Sequence, residues 1–170
     1  MTFTLRRQLT LFVAEKDAAI IEQVRQTYNP IQFELIKSHV TLCRDEEMQD
    51  LEQVLLNLVN LLHPAIEIEF GKPARFDNGK GLFLPALPNN TVFETLRSKV
   101  LSGMAINPGK QEPHITLMHP RNSTCTNELF EQISQLNFPA KLKFNRISLI
   151  EQHQAGRWKT LNNFELKEME

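Results

Sequence analysis

The tetrad His39-Val40-Thr41-Leu42 recurs downstream as His114-Ile115-Thr116-Leu117, and this repetition constrains the fold more than any other feature of the chain. Alternate side chains of an extended strand share a face, so each histidine points the same way as the threonine two residues on. The aliphatic residues between and after them point the other way. Each tetrad thus reads as a strand with one polar, chemistry-bearing face and one apolar face bound for a core. Such a spelling is rare: with five histidines in the chain, well under ~0.1 matches are expected by chance. Two occurrences call for a structural explanation.

The segments around the tetrads supply one. Residues 8–14 are rich in β-formers, and residues 15–28 carry apolar side chains at helical spacing up to a stop at Asn29-Pro30. Residues 33–44 read as the first tetrad strand, 45–62 as a helix with an acidic first turn, and 66–70 as a strand alternating apolar residues with glutamate. The second half repeats this order. After the turn signal Asp77-Asn78-Gly79 come a strand at 82–87, a helix at 91–101, the second tetrad strand and a shorter helix at 126–136. Residues 140–151 and 157–166 close the chain as a hairpin turned at 153–156. Matching elements are offset by about 70–80 residues, which marks an internal duplication of roughly 8–76 and 81–151, followed by the closing strand. The expectation is a single domain over 1–170, α+β in class and bilobal, with its lobes related by a pseudo-two-fold axis. Mostly antiparallel sheets would surround a central cleft to which each lobe brings one His and one Thr.

Composition removes several classes of function. Apolar residues make up 41% and charged residues 23% of the chain, the profile of a globular protein with a core. A net charge of −1 is at odds with an extended nucleic-acid surface, which must neutralise many phosphates. It leaves room for a local basic pocket. The apolar run at 9–14 is too short for the core of a secretory signal, and no stretch approaches the roughly 20 residues of a membrane span. The two cysteines, Cys43 and Cys125, form no pairing motif and suit a reducing compartment. The expectation is a cytoplasmic monomer without a membrane partner.

Two imidazoles brought to one cleft form an acid–base couple. The neutral one can take a proton from an attacking water or hydroxyl, and the protonated one can supply a departing oxygen, because histidine titrates near neutrality. Threonine hydroxyls beside them can donate to an anionic oxygen. Phosphoryl chemistry needs this combination of in-line proton carriers and fixed donors, and nothing in it requires a metal.

The paired motif resembles that of the two-histidine (2H) phosphoesterase superfamily, which includes 2′-5′ RNA ligase-like proteins and cyclic nucleotide phosphodiesterases. Its signature is His-x-Thr/Ser-x with hydrophobic x, present twice in a bilobal α+β fold. The resemblance implies that His39 and His114 are the acid–base pair and that Thr41 and Thr116 bind the substrate phosphate. It implies a phosphoesterase that hydrolyses or reversibly ligates nucleotide or RNA-end phosphodiesters, such as 2′,3′-cyclic phosphates or 2′-5′ linkages, with no metal and no cofactor. In bacterial ligase-like members the second motif continues to an arginine five residues after the histidine. Here that position holds His119, with Arg121 two residues on, whereas Arg44 occupies it in the first motif. Arg44 and Arg121 are therefore candidate phosphate contacts, although alternation sets Arg44 on the face opposite His39 unless the strand has ended. Phe12 and Phe83, at corresponding places in the repeat, are candidates for stacking a base. Cys43 shares the alternating face of His39 and Thr41 and reads as a small apolar filler beside the cleft. A different class stays open: a module on the same fold that binds a nucleotide or RNA without turning it over.

Overall fold

A computed structural model describes residues 4–105 and 108–167. Residues 1–3, which open the N-terminal segment weighed above, together with 106–107 and 168–170, lie outside the described residues. The chain runs β1 (Leu5–Phe12), α1 (Ala19–Tyr28), α2 (Pro30–Leu35), β2 (His39–Cys43), α3 (Leu51–Val59), β3 (Ile66–Glu69), β4 (Ala74–Phe76) and β5 (Gly81–Pro85). It continues through α4 (Thr91–Val100), β6 (His114–Met118), α5 (Asn127–Ser134), β7 (Lys141–Phe144), β8 (Arg146–His153) and β9 (Lys159–Glu165). Single 3-10 turns at Glu15–Asp17 and Asp45–Glu47 precede α1 and α3.

Seven strands form one sheet in the order β4-β5-β6-β2-β1-β8-β9, and β3 and β7 pair as a second, two-stranded sheet. Every pairing is antiparallel. The α+β class with mostly antiparallel sheets is therefore as expected. The two tetrad strands are neighbours at the middle of the large sheet, joined by the pair Val40–Ile115. Each is flanked by a strand of its own half, β1 beside β2 and β5 beside β6.

Alternation in these strands builds the core. Val40 and Leu42 of β2, Ile115 and Leu117 of β6, Leu9 and Leu11 of β1, and Leu82 and Leu84 of β5 are all buried. They join one cluster with Ile21 and Val24 of α1, Val54 and Leu58 of α3, and Phe93 and Leu96 of α4. Each such side chain contributes roughly 1.5–3 kcal/mol of burial. His39, Thr41, His114 and Thr116 are only half-buried, so the burial patterns of β2 and β6 are the same, residue for residue.

Three expectations fail for local reasons. Residues 33–35, expected to begin the tetrad strand, instead complete helix α2 (Pro30–Leu35). Pro30 ends α1, but it is also well suited to open the next helix, since the missing N–H falls where no helical partner exists. The acidic run at 45–47 does not begin the following helix. It forms a 3-10 turn, and α3 starts behind Asp50, whose carboxylate accepts from the Gln53 N–H at 3.2 Å. Residues 140–151 are two strands in different sheets, β7 pairing with β3 and β8 with β1. The hairpin turns fall where expected: Asp77, Asn78 and Gly79 have φ of 55°, 59° and 82°, and Gln154 and Ala155 have φ of 53° and 59°.

Candidate active site

The polar faces of β2 and β6 open onto one cleft of about 170 Å³. His39, Thr41, His114 and Thr116 all line it. The two histidines are seated alike. His39 Nδ1 lies 2.8 Å from the Lys37 carbonyl and His114 Nδ1 lies 2.9 Å from the Glu112 carbonyl. A carbonyl can only accept, so each Nδ1 carries the proton and each Nε2 is left for chemistry. An aromatic ring braces each imidazole edge-on: Phe12 against His39 with centroids 6.1 Å apart, and Phe83 against His114 at 5.6 Å. Phe12 is paired with His39 across β1–β2, whereas Phe83 is paired with Thr116 across β5–β6. Neither phenyl ring is among the residues lining the cleft. Both are occupied with the histidines.

The ladders also explain how Arg44 reaches the site. In β1–β2 the register steps from Leu9–Cys43 to Thr10–Thr41, leaving Leu42 without an opposite residue. In β5–β6 it steps from Leu82–Met118 to Phe83–Thr116, leaving Leu117 likewise. Each tetrad therefore carries a β-bulge at its fourth residue, which breaks strict alternation and re-aims the side chains beyond it. Cys43 consequently turns into the core, fully buried, instead of facing the cleft beside Thr41. Burial pushes its thiol up to about 12, which keeps it a neutral filler. Strand β2 ends there, and Arg44 lines the cleft. In the second motif His119 and Arg121 line it as well.

Two hydrogen-bonded frames hold these groups. The Gln8 amide donates to the Thr10 hydroxyl at 2.8 Å and to the Thr41 hydroxyl at 3.1 Å. Thr41 Oγ1 is thus an acceptor toward Gln8, and its own O–H is free to donate into the cleft. On the other side the His119 N–H donates to Asn29 Oδ1 at 2.8 Å, and Asn29 Nδ2 donates to Asn122 Oδ1 at 2.7 Å. The Arg121 N–H donates to His119 Nδ1 at 3.1 Å, which places the proton of a neutral His119 on Nε2. That Nε2 lies 3.4 Å from Arg121 Nη2. Two donors side by side suit an anionic oxygen.

The charge is one-sided. Arg6, Arg25, Arg44 and Arg121 line the cleft, and among the described residues no Asp or Glu does. Arg25 is committed to Glu22 Oε1 at 2.5 Å and to the Ile36 carbonyl at 2.6 Å. Among the described residues Arg6, Arg44 and Arg121 have no carboxylate within ion-pair distance. Burial, then the charges of Arg25 and His114, carry the His39 pKa down to about 4 against the opposing bond to Lys37. His119 is also lowered, first by burial and then by Arg121 and Arg6, with Asp77 opposing. Among the described residues no group of three or more His, Cys, Asp or Glu side chains is arranged to hold a metal ion.

Sequence reasoning missed Arg6, Gln8, Arg25, Gln111, Gln152 and Trp158 in this cleft. One signal for the first two was present. Arg6, Gln8 and Thr10 alternate with the buried Leu9 and Leu11 along β1, marking a polar strand face. Gln152 and Trp158 flank the closing turn and carried no such signal.

The fold matches solved structures. The structure of apo E. coli LigT superposes with a TM-score of 0.67 at 15% identity, covering 99% of this chain and 100% of that one. A structure described as a phosphoesterase matches with a TM-score of 0.64 at 16% identity over 97% of this chain and 100% of its own. The protein TT0787 of Thermus thermophilus matches with a TM-score of 0.57 at 19% identity, with 97% and 100% covered. No curated protein matches the sequence significantly. The fold is thus the LigT-like one of the two-histidine phosphoesterases. A model of the 2′-5′ RNA ligase superfamily matches residues 13–156, and the chain belongs to that superfamily.

Proposed function

We propose that this protein is a metal-independent phosphoesterase that hydrolyses, or reversibly ligates, nucleotide or RNA-end phosphodiesters such as 2′,3′-cyclic phosphates or 2′-5′ linkages. The observation that carries the reading is the meeting, in one cleft, of two histidines with Nδ1 engaged by a carbonyl and three arginines without ion-pair partners, with no carboxylate lining it, among the described residues. A chain of net charge −1 that gathers such arginines in one place is built for an anion. E. coli LigT has been solved with phosphate and with 3′-AMP, which fits the same class of ligand.

In this mechanism neutral His39 takes the proton of an attacking water through Nε2 as the water oxygen bonds to phosphorus. The bond from phosphorus to the departing ribose oxygen breaks, and protonated His114 supplies that oxygen with a proton. The lowered pKa of His39 suits the accepting role, and the donating role falls to His114. The Thr41 hydroxyl, aimed by Gln8, and the Thr116 hydroxyl donate to the non-bridging oxygens. Arg44, Arg121 and Arg6 balance the charge that develops on them.

Placement in the cytoplasm and a monomeric state belong to the same proposal; both cysteines are free and buried. So does an origin by duplication of a half-sized unit over 8–76 and 81–151. Its support is the same burial pattern, bulge position and Nδ1–carbonyl bond in the two tetrads.

The test is a turnover panel of 2′,3′-cyclic nucleotides, 2′-5′-linked dinucleotides and oligonucleotides ending in a cyclic phosphate, with and without EDTA. Turnover of at least one class, unaffected by EDTA, is expected. If none turns over, the protein is a binding module on this fold.

A further inference from the structure

We infer that Trp158, stacked with Arg6 and set beside Leu35 in the cleft, is the platform on which the nucleobase of the substrate rests. The inference rests on the nucleotide reading above and deepens it by assigning the base a place. Trp158 is the one tryptophan of the chain, half-buried, and it lines the same cleft as His39 and His114. The Arg6 guanidinium lies 5.4 Å from its ring centroid, within cation–π range. The ring stands on a fixed base. The Trp158 backbone N–H donates to the Leu35 carbonyl at 2.9 Å, and Arg157 grips both the carbonyl and the carboxylate of Glu34 at 2.9 Å. The β8–β9 turn is thereby docked on the end of α2. Arg6 is paired with Gln152 across β1–β8, and Trp158 immediately precedes Lys159, the partner of Glu151 in β9. Arg6 on β1 and the indole at the start of β9 thus meet across the intervening strand β8.

Three apolar side chains line the cleft. The apolar lining residues are Leu35, Ile36 and Trp158, gathered on the side of α2 and β9. The remaining lining is histidine, threonine, glutamine and arginine, which suits phosphate and sugar. A planar heteroaromatic ring bound through its attached phosphate gains from an indole face, an aliphatic wall and a stacked guanidinium together. Arg6 lines the same cleft as His119 and Arg121 while its guanidinium lies over the indole. The stacking role expected for Phe12 and Phe83 falls instead to this pair, since both phenyl rings brace the histidines.

The single tryptophan makes the test direct. Titrating the full chain with 3′-AMP should change its intrinsic fluorescence saturably, whereas inorganic phosphate should change it far less. The Trp158→Ala variant should raise KM for a 2′,3′-cyclic nucleotide roughly 5- to 150-fold, the range for losing one base–aromatic stack, with kcat little altered. Trp158→Phe should recover most of the loss. No saturable fluorescence change with 3′-AMP, an equal change with phosphate alone, or an unchanged KM in Trp158→Ala would each overturn the platform. If the wild type turns over no cyclic nucleotide, the phosphoesterase reading falls, and the fluorescence titration still decides the platform. Should Trp158→Ala not fold, Trp158→Phe and the wild-type titration decide it.

Discussion

The Nδ1–H of His39 is engaged by the Lys37 carbonyl, so its reactivity is confined to Nε2, and burial beside Arg25 and His114 takes its pKa to about 4. A folded-state pKa below the ordinary histidine value means that protonation favours the unfolded chain. Stability is therefore full above about pH 6.5 and declines as pH falls toward about 4, below which no further loss comes from this group. The same shift sets the activity. With His39 as the base, the acid limb of kcat/KM should fall near pH 4, and a pH profile on a 2′,3′-cyclic nucleotide measures it. An acid limb near the ordinary value of 6.5 would mean that another group is the base. The histidines and threonines were legible in the sequence because strand alternation is a local rule. Cys43 and Arg44 were not, because a bulge at Leu42 reverses their placement and no local pattern announces a bulge.

At the scale of elements, Arg97 of α4 is the piece that fastens the end of β2. Its guanidinium donates to the Leu42 carbonyl at 2.8 Å, to both Glu47 oxygens at 2.9 and 2.8 Å, and to the Gly109 carbonyl at 2.6 Å. Glu47 also accepts from the Arg44 N–H at 3.0 Å. One buried ion pair thereby joins the bulged end of the first tetrad strand, the 3-10 turn after it, and the loop that leads toward His114. Burial works to raise the Glu47 pKa, but the bonds from Arg97 and the Arg44 N–H outweigh it and hold the carboxyl below its usual value. Removing the charge leaves a buried guanidinium without its partner. Glu47→Gln should therefore cost about 3 kcal/mol of stability in denaturant unfolding. A loss under about 1 kcal/mol would show the pair to behave as an exposed one. The acidic run at 45–47 looks like an ordinary helix start because only the distant Arg97 reveals its other use. Pro30 misleads in the same way, since one residue type both ends a helix and opens the next.

At the scale of the whole molecule, the large sheet is ordered almost evenly about the β2–β6 seam, with β5 and β4 on one side and β1, β8 and β9 on the other. The seam brings both polar tetrad faces to one cleft, and the flanking strand β1 adds Arg6 and Gln8 to it. The class of fold was legible from the order of elements, since alternation and helical spacing are properties of short segments. The division of residues 140–151 between two sheets was not, because strand pairing is a long-range choice that short segments do not encode. In charge, too, the whole conceals the part: a nearly neutral chain carries a cleft lined, among the described residues, by four arginines and no carboxylate. The central claim is that the two seam histidines act together as proton carriers. The most direct measurement is the turnover of a 2′,3′-cyclic nucleotide by His39→Ala and His114→Ala, each verified as folded. Each substitution should lower kcat by roughly 10²- to 10⁴-fold, and a variant of either histidine that keeps a rate within a few-fold of the wild type would contradict it.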